Sequence, residues 1–128
     1  MITKLKQNRI PFMTSWFVTI GDTCHIPKKW YKKGYNNVDN FKINNLSLFE
    51  HENLHSDRQQ QYGVYKWLFK YCVDKKFKWN EEKLAYELEI KIKKQLDIPI
   101  DKQWYIDTLK KYNMVSEIEI INFIDSIV

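Results

Sequence analysis

The sequence predicts an α+β fold that is dominated by helix, with a β-hairpin near the N-terminus. The β-branched and aromatic run "WFVTI" precedes the turn dipeptide Gly21-Asp22 and the short run "TCHI", a pattern typical of two antiparallel strands. From Ser47 onward, apolar residues recur at helical spacing. A chain of 128 residues is long enough for one domain with its own core. We therefore predict a single domain over residues 1–128.

The first half of the chain contains the hairpin and the first long helix. The hairpin covers about 15–27 and stops at Pro27. The following stretch is rich in Lys, Asn and Tyr without a clear period, and we predict a long loop there. A helix follows over about 47–72, bent or split at Gly63.

After the connector "VDKKFKW", the second half is predicted to consist of helices. Asn80 caps a helix over about 80–96. Its apolar stripe repeats every four residues at Leu84, Leu88, Ile92 and Leu96. Two short amphipathic helices complete the chain, and Ser116 with Glu119 forms the capping box of the last one.

Composition and charge bound the functional class. With 44% hydrophobic and 16% aromatic residues the chain is a packed globular protein. The net charge is +5, but Arg9 and Arg58 are the only arginines among 21 basic residues. Arginine is the preferred side chain for phosphate and base recognition, so the sequence argues against a nucleic-acid partner.

The two cysteines and the N-terminus indicate the compartment. Cys24 and Cys72 form no metal-binding or disulfide motif, and we expect two reduced, half-buried thiols in a cytoplasmic protein. The apolar run near the N-terminus is interrupted by Pro11 and Thr14 and lacks a cleavage pattern. No stretch of roughly 18 apolar residues occurs, so we expect a soluble, unprocessed chain without a membrane span.

The stretch "HENLH" carries the strongest chemical signal. Residues four apart on a helix project from one face, about 6 Å apart along the axis. His51 and His55 can therefore ligate one zinc ion, and Glu52, one step around the helix, can act as a general base. The alternative is a solvated helix face. We favour the zinc site because the chain has only three histidines and two of them fall at this spacing.

A catalytic zinc site needs a third protein ligand and an open position. Glu82 is the preferred candidate, because a short connector would bring its helix back antiparallel to the first. His25 on the hairpin ranks second. Three other carboxylates compete for the same role: Glu81, Glu87 and Glu89. Tyr86, one turn beyond Glu82, could contact a ligand or polarise a carbonyl, and an aromatic ring packed between helices is an equally good interpretation.

The order of these motifs resembles the gluzincin class of zinc metallopeptidases, and more closely the short single-domain HExxH proteins of phages and bacteria. The segments "TCHIP", "HENLHSDRQQQ", "YGVYKWLFKY" and "EEKLAY" occupy the places of that family's motifs over roughly residues 15–95. Arg58 departs from the family, which often has a glutamine there, while Gln59 remains available to orient a ligand or substrate.

The resemblance implies a zincin-like fold, with His51, His55 and Glu82 as metal ligands and Glu52 as the base. The function it implies is a zinc-dependent metallopeptidase that acts on a peptide or protein substrate. The alternative is a phage virion component, or another interaction protein, in which the metal site is structural or vestigial. The protein would then be virion-associated and bind other virion proteins.

The basic, aromatic stretch "KKWYKKGYNNVDNFK" has three interpretations. Aromatic rings between lysines can stack the bases of single-stranded nucleic acid. They can also anchor a protein partner. We favour a third interpretation, in which the rings attach a solvated loop to the domain.

Overall fold

The computed structural model describes all 128 residues and confirms a small, helix-dominated α+β architecture. The chain divides into two compact units, Met1–Phe69 and Lys70–Val128. The prediction of one domain over 1–128 stays a prediction. The elements in chain order are β1 (Lys4–Gln7), β2 (Val18–Ile20), β3 (Thr23–Ile26), α1 (Lys28–Lys32), α2 (Val38–Asn44), α3 (Leu46–Tyr62), α4 (Val64–Val73), α5 (Lys75–Gln95), α6 (Lys102–Lys110) and α7 (Glu117–Ile127).

The first unit contains a three-stranded sheet of order β1-β3-β2. The predicted hairpin is confirmed: β2 and β3 pair antiparallel, with Thr19 opposite Cys24. Gly21 adopts φ 61° in the turn, a conformation that glycine reaches without steric cost. The strand β1 was not predicted. It pairs parallel to β3, with Leu5 opposite Cys24, so β3 is the central strand.

The prediction of a long loop after the hairpin is wrong. This segment contains the short helices α1 and α2, and Asn37 caps α2 by accepting a hydrogen bond from the backbone N–H of Asn40. The aromatic residues of this stretch pack into the core of the unit, where Tyr35 stacks on Phe41 with ring centroids 5.2 Å apart. The predicted anchoring of the segment by its rings is therefore correct.

The first long helix is split at Gly63, as the sequence suggested. Asn45 caps α3 through its side-chain oxygen, which accepts a hydrogen bond from the backbone N–H of Leu48. Gly63 has φ 103° and ends α3. Residues other than glycine rarely adopt this backbone conformation. Because it is not helical, it interrupts the chain of helical residues, and α4 starts as a separate helix at Val64.

The second unit begins its main helix one and a half turns earlier than predicted. Asp74, not Asn80, caps α5, because its carboxylate accepts a hydrogen bond from the backbone N–H of Phe77. The predicted leucine stripe is not the buried face of α5, since Leu84 and Leu96 are exposed. The buried residues of α5 are Trp79, Glu81, Glu82, Ala85, Tyr86, Glu89 and Ile90.

The two C-terminal helices, α6 and α7, follow the prediction. Ser116 caps α7 by accepting a hydrogen bond from the backbone N–H of Glu119. The two helices bury an apolar cluster whose fully buried members include Tyr105, Leu109 and Ile124. No helix of the protein has the length and apolar character needed to cross a membrane.

The cysteines are free thiols, as expected, but neither is half-buried. Cys24 has no exposed surface in the centre of β3, whereas Cys72 is exposed on α4. Burial, followed by the nearby Glu52 carboxylate, raises the pKa of the Cys24 thiol well above its usual value.

Candidate metal site

The two histidines of the HExxH motif lie on one face of α3. His51 and His55 are 4% and 6% exposed, and their ring centroids are 5.0 Å apart. Trp67 of α4 packs edge-on against His55 at 5.7 Å. The histidines are therefore buried side by side, as two ligands of one ion would be, and the solvated helix face is excluded for them.

The neighbouring face of α3 is attached to β2 by polar side chains. The Thr19 hydroxyl donates a 2.7 Å hydrogen bond to Oε2 of Glu52, which is 6% exposed. One turn along, the Ser56 hydroxyl donates to the carbonyl oxygen of Gly21, also at 2.7 Å. A buried carboxylate requires such partners, and here they fix the Glu52 side chain beside the strand.

Gln59 completes this attachment in the manner of a neighbouring strand. Its Oε1 accepts from the backbone N–H of Gly21 and its Nε2 donates to the carbonyl oxygen of Thr19, both at 2.7 Å. One side-chain amide thus pairs with the backbone groups that an added strand would use. Because β1 pairs with the other edge of β3, β2 is the edge strand of the hairpin. Gln59 occupies this edge between Thr19 and Gly21.

Glu82 lies in the second turn of α5 and is 2% exposed. The Tyr71 hydroxyl of α4 donates a 2.5 Å hydrogen bond to its Oε1. Tyr71 was not among the predicted site residues. The two residues are eleven positions apart in different helices, and no local sequence pattern relates side chains in that way.

Ligand atoms from His51, His55 and Glu82 all lie within 4.8 Å of one another. Ligands of one tetrahedral zinc ion at bonds of 2.0–2.2 Å are separated by about 3.3 Å. The ligand atoms are therefore close enough for side-chain rotations to bring them onto one ion. Two imidazoles and one carboxylate are also a ligand set that zinc accepts in catalytic sites.

The competing ligands are placed elsewhere. Among the carboxylates of α5, Glu87 is exposed, and Glu89 accepts a hydrogen bond from the Tyr105 hydroxyl. Neither they nor the buried Glu81 belong to the His51, His55 and Glu82 group. On the hairpin, Cys24 is fully buried, and His25, the second-ranked candidate, is partly exposed. Their side chains point to opposite faces, and neither is in the group.

Tyr86 is 4% exposed and belongs to the apolar core of the second unit. Its ring packs edge-on against Tyr105 at a centroid distance of 5.8 Å. Burial raises the pKa of its hydroxyl well above 10, and Tyr112, Glu82 and Glu89 add to this effect. This environment is that of a packing residue, and a catalytic role for Tyr86 stays a prediction.

No protein-family model, curated protein or solved structure matches this chain.

The polar side chains that attach α3 to β2 share a spacing in the sequence that was not among the predicted motifs. Glu52, Ser56 and Gln59 are spaced four and three residues apart, which puts three polar side chains on one helix face. Thr19 and Tyr71 gave no such signal.

Proposed function

We propose that this protein is a zinc-dependent peptidase in which His51, His55 and Glu82 hold the metal. The observation that carries the proposal is the closeness of the three buried ligand atoms, all within 4.8 Å of one another. Three protein ligands leave one coordination position for solvent or substrate, which distinguishes catalytic from structural zinc sites. A bound zinc ion would supply Lewis acidity toward a peptide carbonyl and lower the pKa of water.

Glu52 is the general base of the proposed reaction. Thr19 donates to Oε2 of Glu52 at 2.7 Å, and this bond holds the carboxylate that would take a proton from water. The same hydrogen bond fixes the rotamer of the carboxylate. Orientation of this kind contributes to catalysis because the base then needs no rearrangement at the moment of proton transfer.

The attachment of α3 to β2 limits how a peptide substrate can bind. An extended substrate commonly adds a strand to an exposed sheet edge. Gln59 and Ser56 already occupy the edge at Thr19 and Gly21. A substrate peptide would therefore pair with the part of the edge that precedes Thr19, next to the proposed base.

The second candidate function is that of a virion or interaction protein with a structural metal. Such a site is closed by four protein ligands. The donors available for a fourth position are His25, a cysteine or a second carboxylate, and none of them belongs to the ligand group. The proposal of an open, catalytic site is the better supported of the two.

The direct test combines zinc analysis with a Glu52→Gln variant. Wild-type protein should bind one zinc ion and cleave peptides from a fluorogenic library. The variant should bind zinc equally well and lose about 100-fold or more in activity, the lower range for loss of a general base. Glu87→Gln on the exposed face of α5 is the matched control. Zinc content near zero, or unchanged activity of Glu52→Gln, would contradict the proposal.

A further inference from the structure

A surface cavity of about 600 Å³ lies in the first unit, and no residue of α3 lines it. One wall is the segment that follows β1, and the other is the start of α1 with Pro27. The cavity is therefore at the carboxyl ends of the parallel strands β1 and β3. Its volume is within the range of small-molecule binding sites.

The lining of the cavity is basic. Arg9, Lys28 and Lys29 contribute three positive charges, and no acidic residue lines the cavity. None of the three cations takes part in an ion pair of the protein. Thr14 and Ser15 add two hydroxyl groups. Cations without an anionic partner, together with hydroxyl donors, are suited to the oxygens of a phosphate group.

The wall formed after β1 is held by one buried residue. Asn8 is 3% exposed, and its Nδ2 donates to the carbonyl oxygens of Met13 and Trp16 at 2.7 Å each. Its Oδ1 accepts from the backbone N–H of Ile10 at 2.9 Å. Asn8 thus uses its side-chain donors and acceptor to fold residues 9–16 into a defined loop. A preformed wall lowers the ordering cost of binding a ligand.

The number of aromatic rings in the cavity limits how many bases a ligand can stack there. Of the rings in the stretch after Pro27, Tyr31, Tyr35 and Phe41 pack in the core of the unit. Only Trp30 lines the cavity, and it is 38% exposed. A single-stranded nucleic acid needs successive rings for successive bases. One ring provides a stacking surface for one base.

We propose that this cavity binds a mononucleotide, with the phosphate at Arg9, Lys28 and Lys29 and the base against the Trp30 indole. The proposal is independent of the metal site. It assigns a role to the basic, aromatic segment that the peptidase reaction does not use. The 5′-phosphate end of a nucleic-acid strand offers the same chemistry, so the test includes both sources.

The test is calorimetric titration of the full chain with AMP, adenosine, inorganic phosphate and a 5′-phosphorylated hexanucleotide. AMP should bind at least tenfold tighter than adenosine or phosphate alone, because it engages both parts of the cavity. The triple variant Arg9→Gln/Lys28→Gln/Lys29→Gln should weaken AMP binding at least tenfold. Trp30→Leu should weaken AMP binding and leave phosphate binding unchanged.

The matched control neutralises three exposed lysines that do not line the cavity, with Lys76→Gln/Lys91→Gln/Lys94→Gln. It has the same net charge as the triple cavity variant and should bind AMP like wild type. An equal loss of AMP affinity in both triple variants would show a nonspecific charge effect and overturn the proposal. No binding of AMP, or tenfold tighter binding of the hexanucleotide than of AMP, would also overturn it.

Discussion

The Tyr71 hydroxyl donates a 2.5 Å hydrogen bond to Oε1 of Glu82, the carboxylate that we propose as the third metal ligand. Partners of this kind orient a ligand, and their loss typically costs 10–100-fold in metal affinity. We expect Tyr71→Phe to weaken zinc binding about tenfold, measured by competition with a chromophoric chelator. Tyr65→Phe, at an 87% exposed position of the same helix, is the control and should not change the affinity. Equal zinc affinity in Tyr71→Phe and wild type would show that this bond does not position the ligand.

Gln59 contributes to stability through two backbone groups of the hairpin. It is fully buried, and Gln59→Ala removes its bonds to the Thr19 carbonyl oxygen and the Gly21 N–H. Each group left without a partner costs about 1–3 kcal/mol. The free energy of unfolding, measured by urea denaturation of the metal-free protein, should therefore fall by about 2–6 kcal/mol. Gln61→Ala, at an exposed position in the same helix, should change it little. A loss below about 1 kcal/mol in Gln59→Ala would mean that water replaces the amide.

Metal removal should lower the melting temperature. A ligand that binds only the folded state stabilises it by about 2.7 kcal/mol when its free concentration is 100 times the dissociation constant. A chelator should therefore reduce the melting temperature of zinc-loaded wild type and leave His55→Ala nearly unchanged. The same shift in both proteins would indicate that the chelator acts elsewhere than at His55.

The two thiols should differ in reactivity. Native protein should react rapidly at one cysteine, the exposed Cys72, and denatured protein at both, because Cys24 has no exposed surface. Titration with a thiol reagent, with Cys72→Ser as the control, measures this directly. Two rapidly reacting thiols in the native protein would contradict the burial of Cys24.

The raised pKa of Cys24 also predicts a pH dependence of stability. The folded-state pKa lies above the usual value of 9.0, so the unfolded state releases the thiol proton first as the pH rises. The contribution of Cys24 to stability is complete below pH 9 and is lost above it. Urea denaturation should show a smaller loss of stability above pH 9 in Cys24→Ala than in wild type. Parallel curves would contradict this assignment.

Local signals predicted much of the fold. The turn dipeptide at Gly21 located the hairpin, and Ser116 located the start of the last helix, because both depend on a few adjacent residues. The strand β1 was missed since a parallel partner is set by contacts distant in sequence. The short helices after Pro27 were missed because five to seven residues give no readable period.

The sequence correctly predicted a helix at α5 but predicted the wrong buried face for it. Leu84 and Leu96 repeat with helical spacing but are exposed, while Glu82 and Glu89 are buried. Hydrophobic spacing assumes that carboxylates face water. Here Tyr71 and Tyr105 donate hydrogen bonds to the two carboxylates, which permits burial. The HExxH motif correctly predicted that both histidines lie side by side on one helix face, because all its members are within about one helical turn.

His51, His55 and Glu82 are proposed to hold one zinc ion. The most direct measurement is an anomalous difference map from a zinc-soaked crystal, collected above and below the zinc absorption edge. We expect one peak bound by an imidazole nitrogen of each histidine and a carboxylate oxygen of Glu82, with one position left to solvent. A map without a peak at the histidines, or with a fourth protein ligand closing the site, would contradict it.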